Sequence, residues 1–150
     1  MNLGEHFSED DKNQFVERNL RPSHVIKLFC RTTTPPKEKR LVIASINPEL
    51  LIFIINSEIP RFYEKKPYLK NQQIPLTKQK ENFLDHDSWL DCSEVFREFN
   101  IQKVKEILLA DTSRVLGRLS DEVIAQLMDV VSESETLEQR HINQIISDIA

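Results

Sequence analysis

The chain has 150 residues, 39% of them hydrophobic and 29% charged. That balance fits a single folded domain and excludes collagen-like and disordered chains. The net charge of −4 divides unevenly: residues 1–20 carry two basic and five acidic groups, residues 21–80 twelve and four, and residues 81–150 six and fifteen. Either the basic middle segment meets a polyanion or it docks on the acidic last segment.

The longest apolar run is too short to span a bilayer. The opening Met-Asn-Leu-Gly-Glu-His-Phe-Ser has neither the basic nor the apolar region of a leader. Cys30 and Cys92 make no metal or redox pattern, which predicts a cytoplasmic protein with reduced, buried thiols.

Ser8 caps a predicted short helix reaching Asn19, with acids in its first turn and Phe15, Val16 and Leu20 to dock it. His24–Cys30 alternates as a half-buried strand. Residues 31–40 read as a polar loop around Pro35-Pro36 that gathers Arg31, Lys37, Lys39 and Arg40. Gly4 and Gly117 are the only glycines, which counts against a phosphate-cradling loop. Two apolar runs follow, Leu41–Ile46 and Leu50–Ile55, split by Asn47-Pro48-Glu49. They predict two buried antiparallel strands joined by a tight turn, the second covered on both faces. Such pairing brings Arg40 to the same sheet edge as Asn56 and Ser57.

The stretch 58–70 reads as a long loop in which Arg61, Lys65, Lys66 and Lys70 interleave with Phe62, Tyr63 and Tyr68. It either grips a single-stranded nucleic acid by charge and stacking or is pinned to the sheet by its rings, and pinning is the commoner use. Gln73–Thr77 is a short edge strand that tolerates Pro75, and another strand starts near Ser88. Asp85-His86-Asp87 is a poor metal site, because neighbouring residues diverge and no further ligand joins them. Helical periodicity begins at Ile101 and reaches about Ala110. Ser120 caps a second helix, and Thr136-Leu-Glu-Gln139 is a capping box for a third with the stripe Ile142, Ile145, Ile146, Ile149. Strands followed by helices predict an α+β domain over residues 1–150, with a barrel at about 24–99 and a helical part at about 101–149.

Lys37–Ser45, Ile54–Ser57, and Asp87–Ser93 followed by Val115–Glu122 carry a resemblance to the MazF/PemK/Kid toxin superfamily. Gly117-Arg118-Leu119-Ser120 is its most specific part, and it covers about residues 24–131. The resemblance implies a small antiparallel SH3-like barrel with a short N-terminal helix and two or three C-terminal helices. It also implies a cytoplasmic, metal- and cofactor-free endoribonuclease toxin that cleaves single-stranded RNA, acts as a homodimer and is held by a protein antitoxin. Arg40 matches the family's catalytic arginine, Ser57 or Asn56 falls near its hydroxyl residue, and Arg31, Lys37, Lys39 and Arg61 would line the RNA path. The chain departs from the pattern at Leu41, where the family has proline, and at Asn56, which has no hydroxyl. Asp91 and Ser93 stand nearest to a late-strand Arg and Asp pair used by some members. The alternative is a barrel without the chemistry, binding RNA or, through the helix from Leu137, a protein.

Overall fold

The structure, a computed structural model, describes residues 8–149. The opening segment read as lacking a leader lies outside them, apart from Ser8. The Ser8 hydroxyl accepts the Asp11 N–H at 3.1 Å and the Asp11 carboxylate accepts the Ser8 N–H at 3.3 Å. This capping box opens α1, Glu9–Asn19, which docks through Val16 and Leu20.

Six strands follow: β1 (His24–Cys30), β2 (Lys37–Ser45), β3 (Leu51–Asn56), β4 (Gln73–Leu76), β5 (Ser88–Asp91) and β6 (Val115–Arg118). They form one sheet in the order β4-β5-β3-β2-β1-β6, with every neighbouring pair antiparallel. The sheet is curled, as in half a barrel, and β4 and β6 are its edges. Pro75 sits on the β4 edge, where its missing N–H leaves no ladder bond broken. Four helices complete the chain: α2 (Pro67–Lys70), α3 (Ile101–Ala110), α4 (Asp121–Ser132) and α5 (Gln139–Ile149).

Alternation along the strands sends side chains to two cores. Val25, Val42, Phe53 and Ile55 pack with Val123, Leu127, Ile142 and Ile145 of α4 and α5. Ile26, Leu28, Leu41, Ile43 and Ile52 pack with Val16 of α1 and with Val104 and Leu108 of α3. The central strands are therefore covered on both faces, which is why Leu50–Ile55 shows no polar alternation. None of the described helices is long and apolar enough to cross a membrane.

Several local expectations are corrected. Lys37–Arg40 is strand rather than loop: Lys37 pairs with Cys30 and Arg40 with Lys27. Partner strand β1 imposes the extended conformation on a run with little strand propensity of its own. The strand from Ser88 ends at Asp91. The predicted loop 58–70 contains a 3-10 turn, Arg61–Tyr63, and the short α2. β6 is an additional strand, with Gly117 at φ 151°, a conformation that favours glycine.

Thr136 does not cap α5. Its hydroxyl donates to the Ser93 carbonyl at 2.6 Å, and the helix starts at Gln139. The last turns of α5 instead clasp the β2–β3 turn. Asp148 accepts the Ser45 hydroxyl and the N–H groups of Ile46 and Asn47 at 3.0 and 3.2 Å, and Gln144 donates to Ser45 and to the Glu49 carbonyl. The apolar stripe of α5 is spent on the core through Ile142 and Ile145, so it is not a free docking face.

Candidate functional site

The antiparallel register gathers one end of the sheet. β1 and β3 finish there at Cys30 and Asn56, and β2, β5 and β6 begin there at Lys37, Ser88 and Val115. Arg31, Lys37, Lys39, Arg40, Asn56, Ser57, His86 and Arg114 therefore share this end. The opposite end holds the β2–β3 turn and the carboxylates of Glu49 and Asp148.

The sheet end comes together as expected, but Arg40 and Asn56 do not meet. At the turn Ser45 pairs with Leu51, a register that would place Arg40 opposite Asn56 if it continued. A bulge between Ile43 and Ser45 shifts it by one, so that Leu41 faces Ile54 and Lys39 comes opposite Asn56. A one-residue shift exchanges sheet faces. Lys39 donates to the Asn56 amide oxygen at 2.9 Å on the face of Leu41 and Ile43. Burial and the neighbouring Lys37 hold the Lys39 ammonium below its ordinary pKa.

Arg40 points to the opposite face, that of Val42. Its Nε donates to the Phe83 carbonyl at 3.1 Å and its Nη2 meets Asp85 at 3.0 Å. Ser57 is exposed one residue past β3, Arg31 and Lys37 are exposed at the same end, and Arg61 is exposed in the segment that leaves β3.

The chain leaves β3 into residues 57–72. Tyr63 pins this segment: its hydroxyl donates to the buried Asp91 at 3.1 Å. Asp91 also accepts from the Gln73 amide at 2.8 Å and from the Ser93 N–H and hydroxyl at 2.9 and 2.5 Å. Asp91 and Ser93 thus fasten the loop from beneath. The pinning and gripping readings divide the rings between them. Tyr63 is buried, whereas Phe62 is 64% and Tyr68 47% exposed. Phe62 stands edge-on to Tyr63 with centroids 4.5 Å apart, and the Lys66 ammonium lies 5.8 Å from the Phe62 centroid. Arg61, Lys65, Lys66 and Lys70 are all exposed beside these rings.

Internal neutralisation of the basic segment is slight. Of its twelve cations, only Arg40, with Asp85, and Lys80, with Glu122, form ion pairs among the described residues. The other ten make no ion pair among the described residues, although Lys27 lies near Asp85 and Arg31 near Glu98. A patch of mixed charge lies past the end of β6, where Arg31, Glu98, Lys103 and Arg114, the last paired with Glu38 and Asp111, surround Phe29, Phe99 and Ile107. Phe29 is 49% exposed, on the part of β1 that runs beyond its pairing with β6. Sequence reasoning missed this patch, since its parts come from β1, α3 and the segment before β6.

Metal and thiol chemistry find little support in the geometry. Asp85 is held by Arg40, Asp87 accepts the Lys78 N–H at 2.9 Å and His86 Nδ1 lies 2.9 Å from the Asp87 carbonyl. These three side chains do not converge. Burial pushes the Cys30 thiol up to about 11 and Cys92 well above its ordinary value, so neither is a thiolate near neutrality.

No protein-family model matches the chain, and neither the curated proteins nor the solved structures contain a match.

Proposed function

We propose that the chain binds single-stranded RNA on a MazF-like barrel, along a path from the cationic sheet end to the 61–70 segment. The observation that carries this reading is the exposed Phe62 ring set among Arg61, Lys65 and Lys66, which make no ion pair among the described residues, with Tyr68 exposed further along in a cleft that Asp129, Glu133 and Glu135 also line. Charge follows the backbone and each ring takes the face of a base, which needs no base pairing and suits single strands over duplexes. The test is fluorescence anisotropy with a mixed-sequence single strand and a duplex of equal length. Salt-sensitive binding that favours the single strand is expected, and no binding by folded protein at low salt would end the reading.

A second reading keeps the endoribonuclease chemistry, because Arg40 and Ser57 share the sheet end with Lys37 and Lys39. Attack of a 2′-hydroxyl, which gives up its proton, on the adjacent phosphorus expels the 5′-oxygen of the next nucleotide, which takes one up, and leaves a 2′,3′-cyclic phosphate. Arg40 would neutralise the charge that grows on the phosphoryl oxygens, and Ser57 would hydrogen-bond one of them. Wild type would then cleave RNA in EDTA and Arg40→Ala would not. Intact RNA in the presence of bound, folded wild type leaves the binding module alone. The homodimer and the antitoxin belong to the same proposal, and sedimentation at micromolar concentration tests the first of them.

A further inference from the structure

Arg40 is an unusual exposed-end cation because its side chain is mostly buried and aimed. Its side chain is 21% exposed, the guanidinium is fixed through Nε to the Phe83 carbonyl, and Nη1 makes no hydrogen bond among the described residues. Lys27 lies directly opposite on β1 and on the same sheet face. Two like charges in that relation repel. The Asp85 carboxylate relieves the repulsion: it sits 3.0 Å from Arg40 Nη2 and is itself 78% exposed. It feels Arg40 first, by hydrogen bond and by charge, then Lys27 and His86, and these hold its carboxyl below the ordinary range.

A carboxylate and a phosphate offer a guanidinium the same acceptor geometry. An ion pair with one partner in water is weakly held, so an incoming anion can replace that partner. We propose that Lys27 and Arg40 form a site for one phosphate group, and that Asp85 occupies it in the ligand-free protein as a stand-in anion. The proposal rests on the single-stranded RNA reading for the source of the phosphate. RNA binding would swing the 77–87 loop acid away from Arg40 and deliver a backbone phosphate to both cations.

The experiment compares wild type, Asp85→Asn and Glu58→Gln. Glu58 is an exposed acid near the same sheet end, so its variant controls for the change in net charge. Inorganic phosphate is titrated while the Arg40 Nε–Hε resonance is followed, and a fluorescent single-stranded RNA is titrated in parallel. Asp85→Asn is expected to bind both about three- to tenfold more tightly than Glu58→Gln does. Adding Arg40→Gln to Asp85→Asn should abolish the gain, with circular dichroism confirming the fold. Phosphate binding at Arg40 without any RNA binding would keep the anion site and discard the RNA reading. Equal behaviour of Asp85→Asn and Glu58→Gln with both probes would overturn the proposal.

Discussion

The exposed platform makes the sharpest prediction, since its two components leave different signatures. Phe62→Ser removes an exposed ring that stands perpendicular to Tyr63 and lies under Lys66, while the pin from Tyr63 to Asp91 stays in place. Stacking on an aromatic side chain contributes about 1–3 kcal/mol per base. With one edge of Phe62 against Tyr63, the lower half of that range applies, and Kd for single-stranded RNA should rise roughly 5- to 30-fold. The slope of log K against log salt should not change, because no charge is lost. Replacing Lys65, Lys66 and Lys70 by Gln should do the converse. Each phosphate contact on a single strand contributes about 0.7 to that slope, so it should fall by about 2. Anisotropy titrations at four salt concentrations read both quantities, and thermal melts confirm that these exposed changes leave the fold intact. Unchanged Kd for Phe62→Ser together with an unchanged slope for the triple variant would refute the platform.

Three further outcomes concern the scaffold. Asp148→Asn weakens three hydrogen bonds to the β2–β3 turn and should cost about 2 kcal/mol, discounted for the partly solvated site, or roughly 4–8 °C in Tm. Partial burial opposes ionisation of Asp148, but Ser45 and the two N–H groups more than offset it and lower its pKa. Its stabilisation is therefore complete above the unfolded pKa near 3.8 and disappears as pH falls through the folded value, so urea melts of wild type and variant should converge below about pH 4. Gly117→Ala should cost about 1–3 kcal/mol from backbone strain alone, because the added Cβ would find its nearest atom at 3.9 Å; a neutral result by urea melt would mean that the strand relaxes. Both thiols should resist a disulfide reagent in native protein at pH 8 and react fully in denaturant, and fast native labelling would contradict their burial.

Much of the scaffold was legible because local signals agreed with tertiary demands. Ser8 and Ser120 cap the helices they were expected to cap, and the β2–β3 hairpin followed from two Ile-rich runs around Asn47-Pro48. Legibility failed where a distant partner overrode the local pattern. Lys37–Arg40 has no apolar residue and is extended only because β1 lies beside it. Thr136 sits in a capping-box pattern, yet Ser93, 43 residues away, takes its hydroxyl. The candidate site was legible as a set of cations and no further. Arg40 and Asn56 were separated by one extra residue in β2, and nothing in the sequence around Ala44 announces a bulge. Whether the twelve cations were free depended on acids far along the chain, which composition does not pair.

On the single-stranded RNA reading, a chain with a net charge of −4 must meet a polyanion through the part of its surface where cations lack partners. Several of its acids do fastening work: Asp148 and Glu49 at the turn end, and Glu138 between Arg97 and Arg140. Arg31, Lys37 and Lys39 are left at the other end without ion pairs among the described residues, whereas Tyr68 of the 61–70 segment shares a cleft with Asp129, Glu133 and Glu135. Segregated charge orients an approaching anion, whereas the same charges evenly mixed would present a weakly repulsive surface. The encounter rate should accordingly depend on salt more steeply than the net charge predicts. Adding one acid at the cationic end, as in Ser57→Glu, should slow association measured by stopped-flow more than deleting one lysine, because the new carboxylate both repels the strand and pairs with a cation it would use.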